Sequence, residues 1–567
     1  MPDYTSILGL YLPNKVDDLS VIDTLVENFE KIDDASLKDS YGIVSLKSFL
    51  PANRVLDTDT TPAFIEALKY MKDNGLGVLI VPPGTYSLSA TVTIPSNTTI
   101  VMHKNTLLRR LTSGGFFINF DRNQDTSEMK GNHNITLIGG TLDHRGRTGE
   151  VEKQSNMTGW QNGRNLRVIG VTFRDGYGSH CLDLVGMYGV EIAYCTFEGF
   201  KWFLEADSKR YYGESIQIDL SSPGTLPTNT NPLSQDLNTA RDINIHHNRW
   251  KRSAANPYSA GRAIGTHSFS ETAGSSFRII ITNNIFEDVL DHCFYSYAFQ
   301  NNIFSNNICR NCGSGVRIVP NAQSIHYTVA PINVYRSLIN GNTITGMRQH
   351  TYTTSSNTNV NPYSGYGITT AGHSDTAGTV YEINISGNNI SDTDNEPISC
   401  EFTRRLIISG NSVKQANLAD TNTIRLTSCN AFCVVGNTMF TSKAHSIGIY
   451  DCEDGTVYGN LGYGTVLSGL HITSDSDRIV AVGNIFQKTN SAGGNYGGIS
   501  MTNGANDNLI AMNNVCDQAS GAVNSLYSSS ATTNNHVWGN KVGGNGSAAT
   551  VSLGGTGNST SSGNIST

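Results

Sequence analysis

Long apolar runs, a basic excess and a cysteine framework are all missing from this chain of 567 residues. No stretch of about 18 apolar residues occurs, so nothing reads as a bilayer-spanning helix and no membrane insertion is expected. Lysine and arginine number 39 against 47 aspartate and glutamate, a net charge of −8. That removes any general attraction to nucleic acid or an anionic membrane. Basic side chains cluster locally around Lys209–Arg210 and around Arg249, Lys251 and Arg252. The 10 cysteines are too few to staple so long a chain. The lone C-x-x-C of Cys309 and Cys312, without a second pair, reads as buried small side chains rather than a zinc site. The start, MPDYTSILGLYLPNKVDD, lacks a basic head followed by an apolar run, so no secretory signal is expected and synthesis is cytoplasmic. No G-x-S-x-G, Walker or Rossmann signature sits in a fitting context.

What is present is a repeat. Glycine reaches 57 residues while charged residues make up only 15%, a composition of short strands and turns rather than helices. A chain this long exceeds one ordinary core, so several domains or a one-dimensional solenoid must be expected. The words NITLIGGTL, NLRVIGVTF, GVEIAYCTF, DINIHHNRW, RIIITNNIF, EINISGNNI, LIISGNSV, IVAVGNIF and HVWGNKV share one grammar. Alternating apolar residues lead to a G-N or N-N turn, then another apolar pair. From Asn388 through Asn411, Asn437, Asn460 and Asn484 the turn returns every ~23 to 26 residues, the scale of a solenoid coil. Asparagine suits the place because it tolerates left-handed backbone and its amide can bond to the next coil. Insertions interrupt the rhythm at 201–213, 221–240, 254–276 and 350–363, and loops of this kind often carry binding.

The ends differ from the body. Within residues 1–40, Ser20 can cap a helix whose Val21, Ile22, Leu25, Val26, Phe29 and Ile32 follow helical spacing; one apolar stripe of about four turns needs a partner surface. Residues 41–131 hold a predicted helix, Thr61–Asn74, capped by Asp59 or Thr61 with Pro62 in its first turn, followed by the strand VLIVP. Such a helix can close the open end of a solenoid. The body is expected over 132–542. The last stretch, 543–567, is rich in Gly, Ser, Thr and Asn and reads as a thin coil or a tail.

Ionisable residues concentrate between Ser179 and Arg317. Strand residues alternate between faces, so parallel stacking of CLDLV, SIQID, RAIGTH, CFYSY and GVRIV predicts outward columns. One holds Asp183, Gln217, Gly265, Tyr295 and Arg317; its neighbour holds Val185, Asp219, His267 and Tyr297. His180, Glu214, Arg262 and His292 fall at the preceding corner. Strand and residue spacings place the Cα atoms of Asp183 and Asp219 roughly 8 Å apart. Such a pair can divide into a protonated acid and an ionised base. Asp183, Glu214, Asp219 and His267 are therefore the catalytic candidates, expected on one exposed face. Trp202, Tyr212, Tyr295 and Tyr297 are expected to stack on sugar rings. His180, Gln217, Arg262, His292 and Arg317 complete the substrate-binding set. Ligand spacing supports no metal, and no cofactor is called for.

Two resemblances follow from these words. LGLYLP followed by NFEKID resembles the N-terminal segments of tail appendage proteins in phages of Gram-positive bacteria. TDTTPAFIEAL, VPPGTY and the repeats look like a pectate-lyase-like right-handed parallel β-helix, and HCLDL with ESIQID is similar to phage tailspike runs. The resemblance implies an all-β fold with a small helical attachment module and a homotrimeric, receptor-binding virion tail appendage, extracellular after host lysis. It implies partners in the phage tail, baseplate or neck, and a bacterial surface polysaccharide or teichoic acid as target. The polygalacturonase Asn-Thr-Asp pattern and the calcium-binding aspartates of pectate lyases are not found. Three readings stay open: a depolymerase hydrolysing glycosidic bonds, a teichoic-acid phosphodiesterase using Arg262, Lys209 and Arg210, and an adhesin that binds without cleaving. Elimination chemistry is also open.

Overall fold

Strand after strand pairs in parallel with one a coil away, and the coils build three sheets. The computed structural model describes residues 42–566, leaving aside 52–54, 56–57, 147–154, 179, 202, 205–209, 212, 223–230, 267–275, 321–332, 354–357, 361–363, 374–378, 419, 492–495, 519–524, 545–550 and 562; of the first 41 residues it describes only 3–4 and 11–12. The helix expected from Ser20 lies outside the described residues. The chain divides into two units, Met1–Leu290 and Asp291–Thr567. Both have the architecture of a right-handed parallel β-helix, the hand that parallel crossovers adopt.

In the N-terminal unit, the helix over Thr61–Asp73 stands before the first full coils. Asp59 Oδ1 accepts from the Thr61 amide at 3.0 Å and from its hydroxyl at 2.6 Å, and Pro62 sits in the first turn, where its missing N–H costs nothing. Phe64, Leu68 and Met71 are buried, with Phe64 edge-on to Tyr86 and Phe117 at 6.3 Å. The sheet that matters for function runs through Thr158–Gln161, Leu182–Val185, Glu214–Asp219 and Arg262–Gly265. Inside the coils, Phe173, Phe197, Trp250 and Phe286 stack at 5.2, 4.5 and 4.4 Å. Trp250 is thus a core residue, not a sugar platform.

The C-terminal unit shows most plainly what the turn asparagines do. Asn437 Oδ1 accepts from the Asn411 amide and side chain at 3.0 and 2.9 Å, and its Nδ2 donates to Asn460 Oδ1 and Ile408 O, both at 2.9 Å. The same bonding continues through Asn484, Asn513, Asn540 and Asn564. In the N-N turns Asn283 and Asn306 take the expected left-handed backbone, whereas in the G-N turns it falls on the residue before the asparagine. Gly410, Gly436, Gly459 and Gly483 have φ near +60°, and Met512 takes that place before Asn513. Each G-N word therefore divides two tasks between two residues. Among the described residues no helix is long and apolar enough to cross a membrane.

Candidate functional site

The predicted register holds in the N-terminal unit. Asp183 pairs with Gln217 and Gln217 with Gly265; Val185 pairs with Asp219; Glu214 pairs with Arg262. The alternate residues Leu182, Leu184, Ile216, Ile218 and Ile264 are buried in the coil interior, so the polar set lies on the outer side. The strands begin at Leu182 and Glu214 rather than at Cys181 and Ser215. Glu214 accordingly heads a strand opposite Arg262 instead of closing a turn.

The expectation of an exposed face needs correction. Asp183 and Asp219 are 0% exposed and Glu214 is 1% exposed. Loops that strand periodicity does not encode run beside this face. Residues 231–238 fold back on 119–126: the Ser234 hydroxyl accepts from the Thr126 amide at 2.9 Å, and its carbonyl accepts from Gln161 and Asn162 at 3.2 and 3.1 Å. Phe120 and Ile118 pack on Val185. At the opposite corner, Ser253 and Asn256 tie to Asp175 at 2.6 and 2.8 Å.

Each carboxylate has its own partners. Asp183 Oδ2 accepts from Asn156 Nδ2 at 2.6 Å. Both oxygens of Asp219 accept, one from Gln217 Nε2 and one from the Thr266 hydroxyl. Gln217 thus stands between the two aspartates, beside Asp183 in register and bonded to Asp219. Glu214 Oε1 lies 3.3 Å from Arg262 Nη1. His180 Nδ1 is 2.9 Å from the Glu214 carbonyl, which can only accept. Nδ1 therefore carries a proton, and the same nitrogen lies 3.6 Å from Glu214 Oε2. Burial pushes the Cys181 thiol up to about 12, which removes it as a nucleophile.

Asn156 escaped the sequence reading because it lies outside the stacked words, and Thr266, although part of RAIGTH, falls by strand alternation in the inward row of Ile264. His267, Trp202 and Tyr212, with Lys209 and the side chain of Arg210, lie outside the described residues. His292, Tyr295, Tyr297 and Arg317 belong to the C-terminal unit. There His292 pairs with Ser314 and Tyr295 with Arg317, while the Tyr295 and Tyr297 rings stack at 6.3 Å and His292 Nδ1 lies 2.9 Å from Asp291 Oδ1. Tyr297 is buried although its row faces outward. Among the described residues no group of three or more His, Cys, Asp or Glu is placed to hold a metal ion.

No protein-family model matches the sequence, and no curated protein matches it. Among solved structures it is similar to PfbA, a surface adhesin of Streptococcus pneumoniae, at 16% identity and a TM-score of 0.47, over 82% of this chain and 92% of that one. The tailspike protein of E. coli bacteriophage HK620 in complex with pentasaccharide aligns at 12% identity and a TM-score of 0.41, over 91% and 78%. The A-module of the Azotobacter vinelandii mannuronan C-5 epimerase AlgE6 aligns at 12% and 0.31, over 92% and 99%. None reaches a TM-score of 0.5, so the architecture rests on this chain's own strand pairing and these likenesses carry no argument about its chemistry.

Proposed function

We propose that the polar face of the N-terminal unit binds a bacterial surface polysaccharide and hydrolyses its glycosidic bonds. One observation carries this reading: Asp183, Glu214 and Asp219 are gathered, buried, on a strip where the repeat demands no charge. Taking carboxylates out of water costs several kcal/mol or shifts their protonation, and such arrangements concentrate at catalytic sites. Asp219, with both oxygens accepting, is the base that takes a proton from water. Asp183, one row away, protonates the leaving oxygen. Gln217 holds the spacing, and the Glu214–Arg262 pair with His180 orders the corner. Glycoside chemistry is favoured over phosphodiester cleavage because Arg262 is engaged by Glu214 rather than presented to a phosphate.

A second reading, binding without cleavage, is favoured by the burial of the same carboxylates. Incubation with purified Gram-positive cell-wall polysaccharide, assayed for reducing ends, unsaturated products and organic phosphate, separates the readings. Reducing ends alone support hydrolysis; retention without product supports the adhesin. Attachment belongs to the same proposal: residues 1–40 fasten a homotrimer to a virion tail, which places the protein outside the host after lysis.

A further inference from the structure

The C-terminal unit carries a second concentration of aromatic and polar side chains. On strands Ile424–Thr427, Ile447–Tyr450, Leu470–Thr473 and Ile499–Met501, the row Ile424, Ile447, Leu470, Ile499 is buried inside. The alternate row Arg425, Gly448, His471, Ser500 faces outward, followed two residues on by Thr427, Tyr450 and Thr473. A β-carbon on Gly448 would lie 2.7 Å from the Tyr450 ring and 3.1 Å from Asn422 Nδ2. The absent side chain is the space into which that ring folds. Tyr450 therefore lies near both Arg425, whose Cζ is 5.0 Å from its ring centre, and His471, 6.1 Å away and edge-on. His471 stacks on His445 at 4.3 Å, and Tyr496 leans on both rings at 6.4 and 5.8 Å. Tyr496 is 38% exposed, so the group opens to solvent.

Hydrogen bonds set the state of the imidazoles. The Ser468 amide donates to His445 Nδ1 at 3.0 Å, so the proton of that ring is on Nε2. His471 Nδ1 is 2.7 Å from Ser500 Oγ, itself 2.8 Å from Ser468 Oγ. Burial lowers His445 to about 2 and His471 to about 4, so both rings are neutral in ordinary buffers. Charges at the rim oppose one another: Arg425 Nη1 lies 3.5 Å from Glu396 Oε1, and Tyr366 feels Glu396 and Glu401 against Arg317 and Arg425. Asn422 Nδ2 donates to Tyr450 Oη at 3.3 Å.

From this juxtaposition we infer that the rings of Tyr496 and Tyr450, backed by the buried His471 and His445, form a platform for uncharged pyranose units of a saccharide chain, with Arg425 bonding to hydroxyls at its edge. Flat neutral rings bury the C–H faces of sugars. A rim whose charges cancel offers no net field to a uronate or a phosphate, whereas paired donors and acceptors suit hydroxyl groups, which both donate and accept. Ser399 and Thr369 fill the same outward row one and two coils earlier, so the repeat itself does not call for aromatic or ionisable residues here. The site belongs to the C-terminal unit and does not depend on whether the carboxylate face of the N-terminal unit cleaves anything.

The test uses the full chain carrying Asp219→Asn, so that binding is read without turnover. It is applied to a printed array of neutral hexose and N-acetylhexosamine oligosaccharides beside uronate- and phosphate-bearing ones. Neutral spots are expected to bind. Adding Tyr496→Ala, which removes a half-exposed ring and leaves the core intact, should weaken that binding about tenfold, while Tyr496→Phe keeps it. Gly448→Ala should weaken it similarly by displacing the Tyr450 ring. Equal binding in the Tyr496→Ala and Gly448→Ala chains overturns the inference. So does a preference for anionic spots that Arg425→Met removes, or a lack of binding to every neutral spot. Hydrolysis by the parent chain is scored separately, so failure of the catalytic reading and failure of this one give different results.

Discussion

Glu214 and Arg262 stand directly opposite one another on neighbouring parallel strands, with Nη1 of the arginine 3.3 Å from Oε1 of the glutamate. They are 48 residues apart in sequence, and a single coil brings them together. The pair supplies a cation to the most crowded corner of the carboxylate face. Asp183 and Asp219 are held instead by the neutral donors Asn156, Gln217 and Thr266.

Replacing Asp219 or Asp183 with asparagine should lower turnover roughly 100- to 10,000-fold, the usual contribution of a positioned acid or base. Because Asp219 is buried, the new amide must also turn an N–H toward one of two donors, at about 1–3 kcal/mol of stability. Reducing-end release on the native polymer, with thermal melts of the same samples, separates the two effects. Full activity in both variants would leave the adhesin reading in place.

Arg262→Met should be more damaging to stability than Glu214→Gln. The first leaves a carboxylate that is 1% exposed without its guanidinium, a loss of about 3–5 kcal/mol for a fully buried pair. Glutamine keeps an oxygen toward Arg262 and removes the charge. Arg262 is partly solvated, so the lower end of that range is expected in urea titrations.

The two parts of a G-N turn should respond differently. Asn437→Ala removes an amide that exchanges hydrogen bonds with Asn411, Asn460 and Ile408; each orphaned buried group costs about 1–3 kcal/mol. Gly436→Ala meets no atom within 4 Å, so only its left-handed backbone is penalised, by about 1–2 kcal/mol. Equal destabilisation of the two variants in urea would contradict this division.

Acid should loosen the C-terminal unit before the carboxylates titrate. His445 and His471 are lowered from 6.5 to about 2 and about 4 by burial. As pH falls below 6.5 the unfolded chain takes up protons that the folded rings refuse, so stability is present above that pH and is lost on the way down. For His471 the full loss is about 3 kcal/mol, since each tenfold change in proton affinity corresponds to about 1.4 kcal/mol. The double variant His445→Gln, His471→Gln should flatten the decline between pH 6.5 and 4.5, read as urea midpoints.

If the stripe of Val21, Ile22, Leu25, Val26 and Phe29 is covered by sister chains rather than by the body of the protein, deleting residues 1–40 should lower the oligomeric state read by light scattering. A full-length protein that is already a stable monomer would remove the attachment proposal.

The coil, its parallel register and the polar columns were readable in the linear chain. Side chains of a strand alternate with a period of two, and the G-N words return once per coil, so facing residues such as Asp183 and Gln217 or Glu214 and Arg262 can be aligned by counting. The capping helix was readable for the same kind of reason, since Asp59, Pro62 and the spacing of Phe64, Leu68 and Met71 are local signals.

Tertiary structure alone decided what covers those columns and what completes them. Asp183 and Asp219 are buried, and residues 231–238 fold back on 119–126 through contacts over a hundred residues apart that no periodicity announces. The platform of Tyr450 and Tyr496, with His471 and His445 behind it, draws on two coils and a loop, and it exists because Gly448 leaves room for a ring. Repetition determines which residues share a face. Loops that obey no repeat, and side chains that fold across their own row, determine which of those residues meet solvent.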